Sequence, residues 1–557
     1  MRVFLSILLL LSTLEIGYAD ASPQYYKFRV YLSDKGVSSY SLDKPEEFLS
    51  HKSIERKKVQ NVAIDERDIP ISQDYFNLIK KEGGDVVSHS KWMSTIVVML
   101  KDSASIENIE RLSFVDSAKY VWRGDRRPHG FFTRPRLVEN VDCCEEKEDS
   151  TVSFFGKSES QFLLHNARAL YSAGYMGKGK TIGVIDAGFT NFDVIPYFEN
   201  VDVLAYGDFV SNDYILSADI LSANDHGTKV LSTMASYLPK RFVGSAPKAT
   251  YLLMRSEDVV SEFMVEEDYW VRAAEYADSV GVDIINTSLG YSSFDDKTLN
   301  YTHNDLNGNT SFMSRGADIA FEKGMMIVVS AGNEGNKQWK SLTPPGDAKK
   351  VITVGAVDTD GNIASFSSRG ILPDERVKPD FVSVGLRAVT IGQRGDIGTT
   401  NGTSFATPFL TGLITSLWSV NPSLNRSELI EIMKECADRS ANPDSIYGNG
   451  VIDFGLALEK VLQTVDVKTG SFVDKNIKVK RDRDSFTITF EEPTSDVTGY
   501  MVRVLDERGE ILSEKSFGND YIVTYSADSE VKKNNKYVHL VLDSKGHNKT
   551  YTYRIKL

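Results

Sequence analysis

Six short runs punctuate the chain between Thr181 and Asp358: TIGVID, DVLAYG, TYLLM, VDIINTSLG, MMIVVSAGN and VITVGAVD. Each is apolar and rich in β-branched residues, and helical stretches such as EDYWVRAAEYADSVG and SRGADIAFEKG lie between them. Strands that are apolar on both faces and alternate with helices specify a parallel sheet covered by helices on both faces. We therefore read one α/β unit from about Phe155 to Leu462, bounded at 153–465. In such sheets the functional groups gather just beyond the carboxyl ends of the strands.

The texture differs on either side of this unit. In front, YYKFRVYL, VVSHSKW, TIVVML and AKYVWR read as strands. KPEEFLSHKSIERKKVQ, QDYFNLIKKEGG and SIENIERLSFV read as helices, the second closed by Gly83 and Gly84. With one helix counted as extra, residues 22–125 form a β-α-β-β-α-β unit, a ferredoxin-like α+β domain. From Arg123 the chain turns polar and charged, RGDRRPHGFFTRPRLVENVDCCEEKEDS, with a basic half and an acidic half. Residues 126–152 are read as an exposed linker open to proteolysis, and the RGD as a chance occurrence at its start. Behind Gln463, FTITFEEP, GYMVRVLDERGEILSE, DYIVTYSA, KYVHLVLD and TYTYRIKL are strands with turn signals between them. They predict an all-β sandwich over 466–557.

A chain of 557 residues exceeds one core, in keeping with several domains. Its net charge of −13 argues against nucleic acid as the main partner. The opening MRVFLSILLLLSTLEIGYADA sets Arg2 before an apolar run from Val3 to Leu11, then small residues at Gly17, Ala19 and Ala21. This is the pattern of a signal peptide over 1–21, and it implies a secreted or cell-surface protein. No other apolar run is long enough to predict a transmembrane helix. Cys143, Cys144 and Cys436 make neither a disulfide framework nor a zinc pattern, so no metal ligand set is assigned.

Four positions draw attention as chemistry. Asp186 ends the strand TIGVID, where it is either a terminal cap or an acid. His226, in SANDHGTKV, starts an apolar helix; Asp225 beside it is a poor partner, because adjacent side chains seldom face each other. Asn333 follows the buried strand MMIVVS in a turn whose flanking glycine supplies the freedom, leaving its amide available as a donor. Ser404, in NGTSFATP, heads a helix apolar on nearly every face, with Pro408 fitting its first turn. A helix cap would serve structure alone; an acyl-transfer nucleophile needs the same positive helix end.

These residues occur in the order Asp, His, Asn, Ser. The segments IGVIDAGF, NDHGT, VVSAGNEGN and NGTSFATP closely resemble the four signatures of the subtilase family of serine proteases, and INTSLGY resembles its substrate-lining strand. Ala187, Lys229 and Phe405 depart from the usual pattern without removing a reacting atom, and the set resembles subtilases of Bacteroidetes. The resemblance implies a subtilisin-like fold and a serine endopeptidase with the triad Asp186, His226 and Ser404 and the oxyanion donor Asn333. It implies that Ser288, Leu289 and Gly290 run alongside a peptide or protein substrate, with Ala331, Gly332 and Thr343 around the primary pocket. The front domain then resembles a propeptide, an intramolecular inhibitor of a self-processing zymogen. The last domain resembles the small β domain read by a dedicated secretion machinery, or serves binding or stability. Catalysis would need no cofactor. The insertion FDDKTLNYTHNDLNGNT offers oxygens to a structural calcium, or is a polar surface loop; the closing glutamate of an EF-hand loop is missing. From another class of function, a catalytically silent binding or adhesion protein could keep this fold, but it has no chemical need for all four polar residues.

Overall fold

The computed structural model describes residues 24–125, 136–137, 153–211, 224–474, 477–482, 485–490, 500–517, 522–527, 529–544 and 550–557. The expected signal peptide, Cys143, Cys144 and all of the linker but Arg136 and Leu137 lie outside them.

The centre is a parallel sheet of seven strands. Across it run Phe381–Val384, Ile352–Val357, Met326–Ser330, Ile284–Thr287, Thr181–Asp186, Thr250–Arg255 and Asp202–Asp208. Alternate residues of each strand feed two cores. Ile182, Val184, Ile284, Met326 and Val328 pack with the helices His226–Ala235 and Thr403–Trp418. Ile185, Ile285, Ile327 and Val329 face the other way, against Val265–Val280 and Phe312–Glu322. A sheet buried on both faces explains why its strands read as unbroken apolar runs. The edge strand Phe381–Val384 has four residues and too little pattern to be legible. The late helices Arg426–Glu435 and Phe454–Gln463 carry a helical period, burying Leu429 and Met433 in the first and Phe454, Ala457, Leu458, Val461 and Leu462 in the second, and the Asn425 and Asp453 side chains cap them.

Chain order fixes where a crevice opens. After Thr181–Asp186 the chain fills the sheet on one side, then returns to add Ile284–Thr287 on the other. The ends of these two neighbouring strands mark the topological switch point.

The front domain is an antiparallel sheet in the order Asp85–Ser90, Thr95–Leu100, Gln24–Leu32, Val115–Asp125. Two local readings change. The helix expected over 44–60 is a single tight turn, Pro45–Glu47, followed by His51–Val59, because the Ser50 hydroxyl caps that later start. Arg123, Gly124 and Asp125 belong to the last strand, paired with Tyr26, Tyr25 and Gln24, rather than to an exposed linker.

The last domain is a sandwich of a five-stranded and a four-stranded sheet. Its core takes Ile477, Val479, Phe486 and Ile488 from one sheet and Val502, Val504, Leu540 and Ile555 from the other. No helix among the described residues is long and apolar enough to cross a membrane.

Candidate active site

Asp186 ends its strand with its side chain fully buried. One carboxylate oxygen, Oδ1, accepts the Ala187 N–H at 2.8 Å and faces His226 Nδ1 at 2.8 Å. Gly227 makes this approach feasible: a Cβ there would lie 2.4 Å from the Gly188 carbonyl oxygen. The turn after the strand and the first turn of the helix therefore touch backbone to backbone. Asp225 is drawn away by Lys229, 2.9 Å distant, so the residue that departs from the family pattern also removes the rival acid. Burial works against a charged imidazole. The Asp186 charge and hydrogen bond outweigh it, and the His226 pKa lies above the ordinary histidine value. The His226 side chain is 29% exposed, which leaves it able to exchange protons with a ligand.

Ser404 is the second residue of the buried helix Thr403–Trp418. In the first turn, backbone N–H groups have no intrahelical acceptor and present positive potential. The Ser404 hydroxyl donates to the Ser288 carbonyl at 3.3 Å, and the Ser288 hydroxyl donates to the Ser404 carbonyl at 2.9 Å. These bonds lock the segment Ser288–Gly290, which lies beyond the end of its strand, beside the helix start. The Phe405 ring lies 5.7 Å from the His226 imidazole and packs over it.

Asn333 completes the cluster. Its side-chain carbonyl accepts from the Thr403 N–H at 2.9 Å and the Thr403 hydroxyl at 3.1 Å. With the oxygen so engaged, the NH2 group must point the other way, as a donor beside Ser404. Gly332, at φ +100, makes the turn that carries Asn333 there. Ala331 is wholly buried, its N–H bonded to Val354 and its carbonyl to the Thr343 N–H. Thr343 lies between the backbones of Gly290 and Gly332.

Residues 177–450 match the model of the subtilase family, and residues 27–129 match that of the peptidase S8 propeptide domain of Bacteroidota. The chain belongs to the subtilase family. It is 26% identical over 307 residues to serine protease AprX of Bacillus subtilis, an alignment covering 50% of this chain and 65% of that protein. It is 28% identical over 295 residues to subtilisin E of the same species, covering 53% and 69%. It is also 31% identical over 279 residues to the membrane-bound transcription factor site-1 protease of Rattus norvegicus, covering 47% and 24%. The chain thus spans about two thirds or less of the relatives it matches. In fold it is similar to the epidermin leader peptide processing serine protease of Staphylococcus aureus, with a TM-score of 0.55 and 15% identity, over 79% of this chain and 100% of that one.

One group of this subtilase's site escapes sequence motifs. Glu257 follows the end of Thr250–Arg255, the strand next to that of Asp186, and accepts the Tyr291 hydroxyl at 3.2 Å. Burial, reinforced by the Asp186 and Glu262 charges, pushes its pKa up to about 8. Its charge, where present, adds to that of Asp186 in raising the His226 pKa. Its position at a strand end was the available signal. In the Asp- and Asn-rich insertion, Asp305 Oδ2 accepts the Thr302 N–H and hydroxyl and Asn307 Oδ1 accepts from the N–H groups of Asn309 and Thr310, while Asp295 and Asn309 accept from Glu262 and Lys349 outside it.

Proposed function

We propose that this subtilase is an exported serine endopeptidase that works through an acyl-enzyme and is made as a self-processing zymogen. The observation that carries the reading is the 2.8 Å Asp186–His226 pair beside a serine at the head of a buried helix. Rotation of the Ser404 side chain off the Ser288 carbonyl brings its oxygen to bear on a peptide carbonyl. His226 accepts the proton through Nε2 as the Oγ–C bond forms, because Nδ1 is committed to Asp186. The negative charge passes to the carbonyl oxygen, which the Asn333 amide and the Ser404 N–H receive. His226 then gives its proton to the departing amine; water repeats the sequence and frees the serine. Ser288, Leu289 and Gly290 pair with the substrate main chain as an added strand.

In this reading the front domain is the intramolecular inhibitor, cut from the body within the linker. The opening apolar segment directs export, and the C-terminal sandwich is offered to a secretion machinery. The reaction itself needs no cofactor. A structural calcium in the insertion would compete with the hydrogen bonds that Asp305 Oδ2 and Asn307 Oδ1 already accept within their loop.

A fluorophosphonate probe tests the central claim. Wild-type protein freed of its front domain labels at Ser404, and Ser404→Ala does not; labelling of neither sinks the reading. The pH profile adds a second check. His226 must be neutral to act as base, and its pKa is raised. The acid limb of kcat/KM therefore lies above the value of about 6.5 of a free histidine.

A further inference from the structure

The acyl-transfer reading also dictates where one substrate side chain must go. With the scissile carbon on Ser404 Oγ and its oxygen at Asn333, the residue on the acyl side projects between two backbone walls. One is Ser288–Gly290, bonded to Ser404; the other contains Gly332, next to Asn333. Glycine on both walls would open a deep slot between them. Thr343 fills it. A Cβ built on Gly290 would lie 2.3 Å from Thr343 Oγ1, and one built on Gly332 would lie 2.8 Å from the same atom. A single hydroxyl thus touches both walls, and Thr343 Cγ2 and Ser368 Oγ crowd the Gly332 side at 3.2 and 3.0 Å.

Thr343 cannot retreat. Its N–H donates to the Ala331 carbonyl at 3.2 Å, and its carbonyl accepts the Gly346 N–H at 2.8 Å. The next residue, Pro344, accepts the Tyr291 N–H at 3.0 Å, tying the segment to the opposite wall. The backbone of Thr343 is thus held on both sides, and the residue is only 6% exposed.

We infer that Thr343 floors the primary pocket at a shallow depth, so that this subtilase cuts after glycine, alanine or serine and rejects leucine and aromatic residues there. The inference rests on the function proposed above and deepens it. Two hydroxyls, of Thr343 and Ser368, line the floor, which suits small side chains with or without a hydroxyl. A bulkier side chain meets braced backbone, and overpacking of that kind is not relieved by a rotamer change.

The test uses processed wild-type enzyme and Thr343→Gly, counted by fluorophosphonate titration. Peptidyl p-nitroanilides are compared that differ only in the residue before the cut: Ala, Ser, Leu or Phe. Wild type favours Ala and Ser over Phe in kcat/KM by about 100-fold or more, the scale on which pockets separate side-chain sizes. Thr343→Gly narrows or reverses that ratio by at least about tenfold. A wild-type enzyme that titrates fully and prefers Leu or Phe overturns the pocket and leaves the acyl-transfer reading standing. So does a Thr343→Gly enzyme whose preference is unchanged. Protein that neither titrates nor cleaves any substrate overturns both. Should Thr343→Gly fail to fold, the wild-type preference alone decides.

Discussion

The body of the protein carries a companion domain at each end; both share its apolar core, but only the front one is also held by several fully buried ion pairs. The front domain docks on the helix Val265–Val280 through buried ions. The Arg29 guanidinium grips the Asp268 carboxylate with two 2.6 Å hydrogen bonds, and Glu267 stands 3.9 Å away. Arg56 and Lys57 close on Asp278, while Lys57 and Lys323 share Asp68. Glu275 accepts the Ser90 hydroxyl and the N–H groups of Lys91 and Trp92 at 2.5, 3.0 and 2.9 Å. Apolar contacts from Trp92, Val97, Val121 and Trp122 fill the rest. The back domain also extends the body's core, with fewer ions: Leu505 and Val541 belong to the same cluster as Leu458 and Leu462. The Lys178–Asp543 and Lys248–Asp543 pairs at 2.7 and 3.1 Å accompany them. If the front domain is cut off as proposed, it leaves behind a helix whose carboxylates rehydrate readily, whereas the back interface carries no comparable set of fully buried ions among the described residues.

The largest test of this contrast is all or none. Expressed without residues 1–21, wild-type chain loses the front domain and keeps the back one, read by intact mass over time. The Ser404→Ala chain keeps both. Loss of the back domain at the same rate as the front would break the comparison. The next effect is Arg29→Ala, which leaves Asp268 buried without its cation. Removing one member of a buried pair costs about 3–5 kcal/mol. The cleaved front domain should then inhibit at least about 100-fold more weakly in peptidase assays. Leu505→Ala strikes the other interface at a wholly buried position, where such truncation costs about 2–5 kcal/mol. It should lower the Tm of the processed enzyme and leave inhibition by the front domain unchanged.

Legibility in the sequence divides along similar lines. Asp186, Asn333 and the turn after Ile284–Thr287 sit at strand ends, and Ser404 at a helix start. Those positions follow from local pattern, and the four segments around them match a family. Thr343 is different: the turn at Pro344 and Pro345 carries it between two strands, and no periodicity encodes that crossing. Glu267, Asp268, Glu275 and Asp278 look like the solvated face of a helix. Asp268 and Glu275 are buried beneath the front sheet, Asp278 beneath Arg56 and Lys57 of the helix His51–Val59, and Glu267 beneath Tyr301, Ser311 and Phe312 of the body itself. Ser50 was visible as a cap, but Pro45 in a plausible first turn competed with it.

The smallest effect concerns acidity, and it separates two kinds of charge at the front interface. His89 lies in the strand Asp85–Ser90, its ring 5.2 Å from that of Phe76. Burial, with the Arg272 and Lys91 charges added, holds its pKa well below the ordinary value of 6.5; Arg272 itself stands 3.8 Å from Glu275. Burial against Phe76 belongs to the front domain itself, so docking adds the Arg272 charge, which disfavours a protonated His89. That contribution is complete above the His89 pKa of the free front domain and fades as pH falls toward the docked pKa. Asp278 behaves in the opposite range. Burial alone would raise it, but Lys57 and Arg56 hold it below its ordinary 3.8, so its contribution persists until pH falls under that value. Release of the cleaved front domain, followed by size exclusion, should therefore be faster at pH 5.5 than at pH 7.5, and His89→Gln should flatten the difference. If the variant keeps the full difference, acid release in that window does not come from His89. Asp278 cannot supply it there either, since Lys57 and Arg56 hold its pKa below the ordinary 3.8.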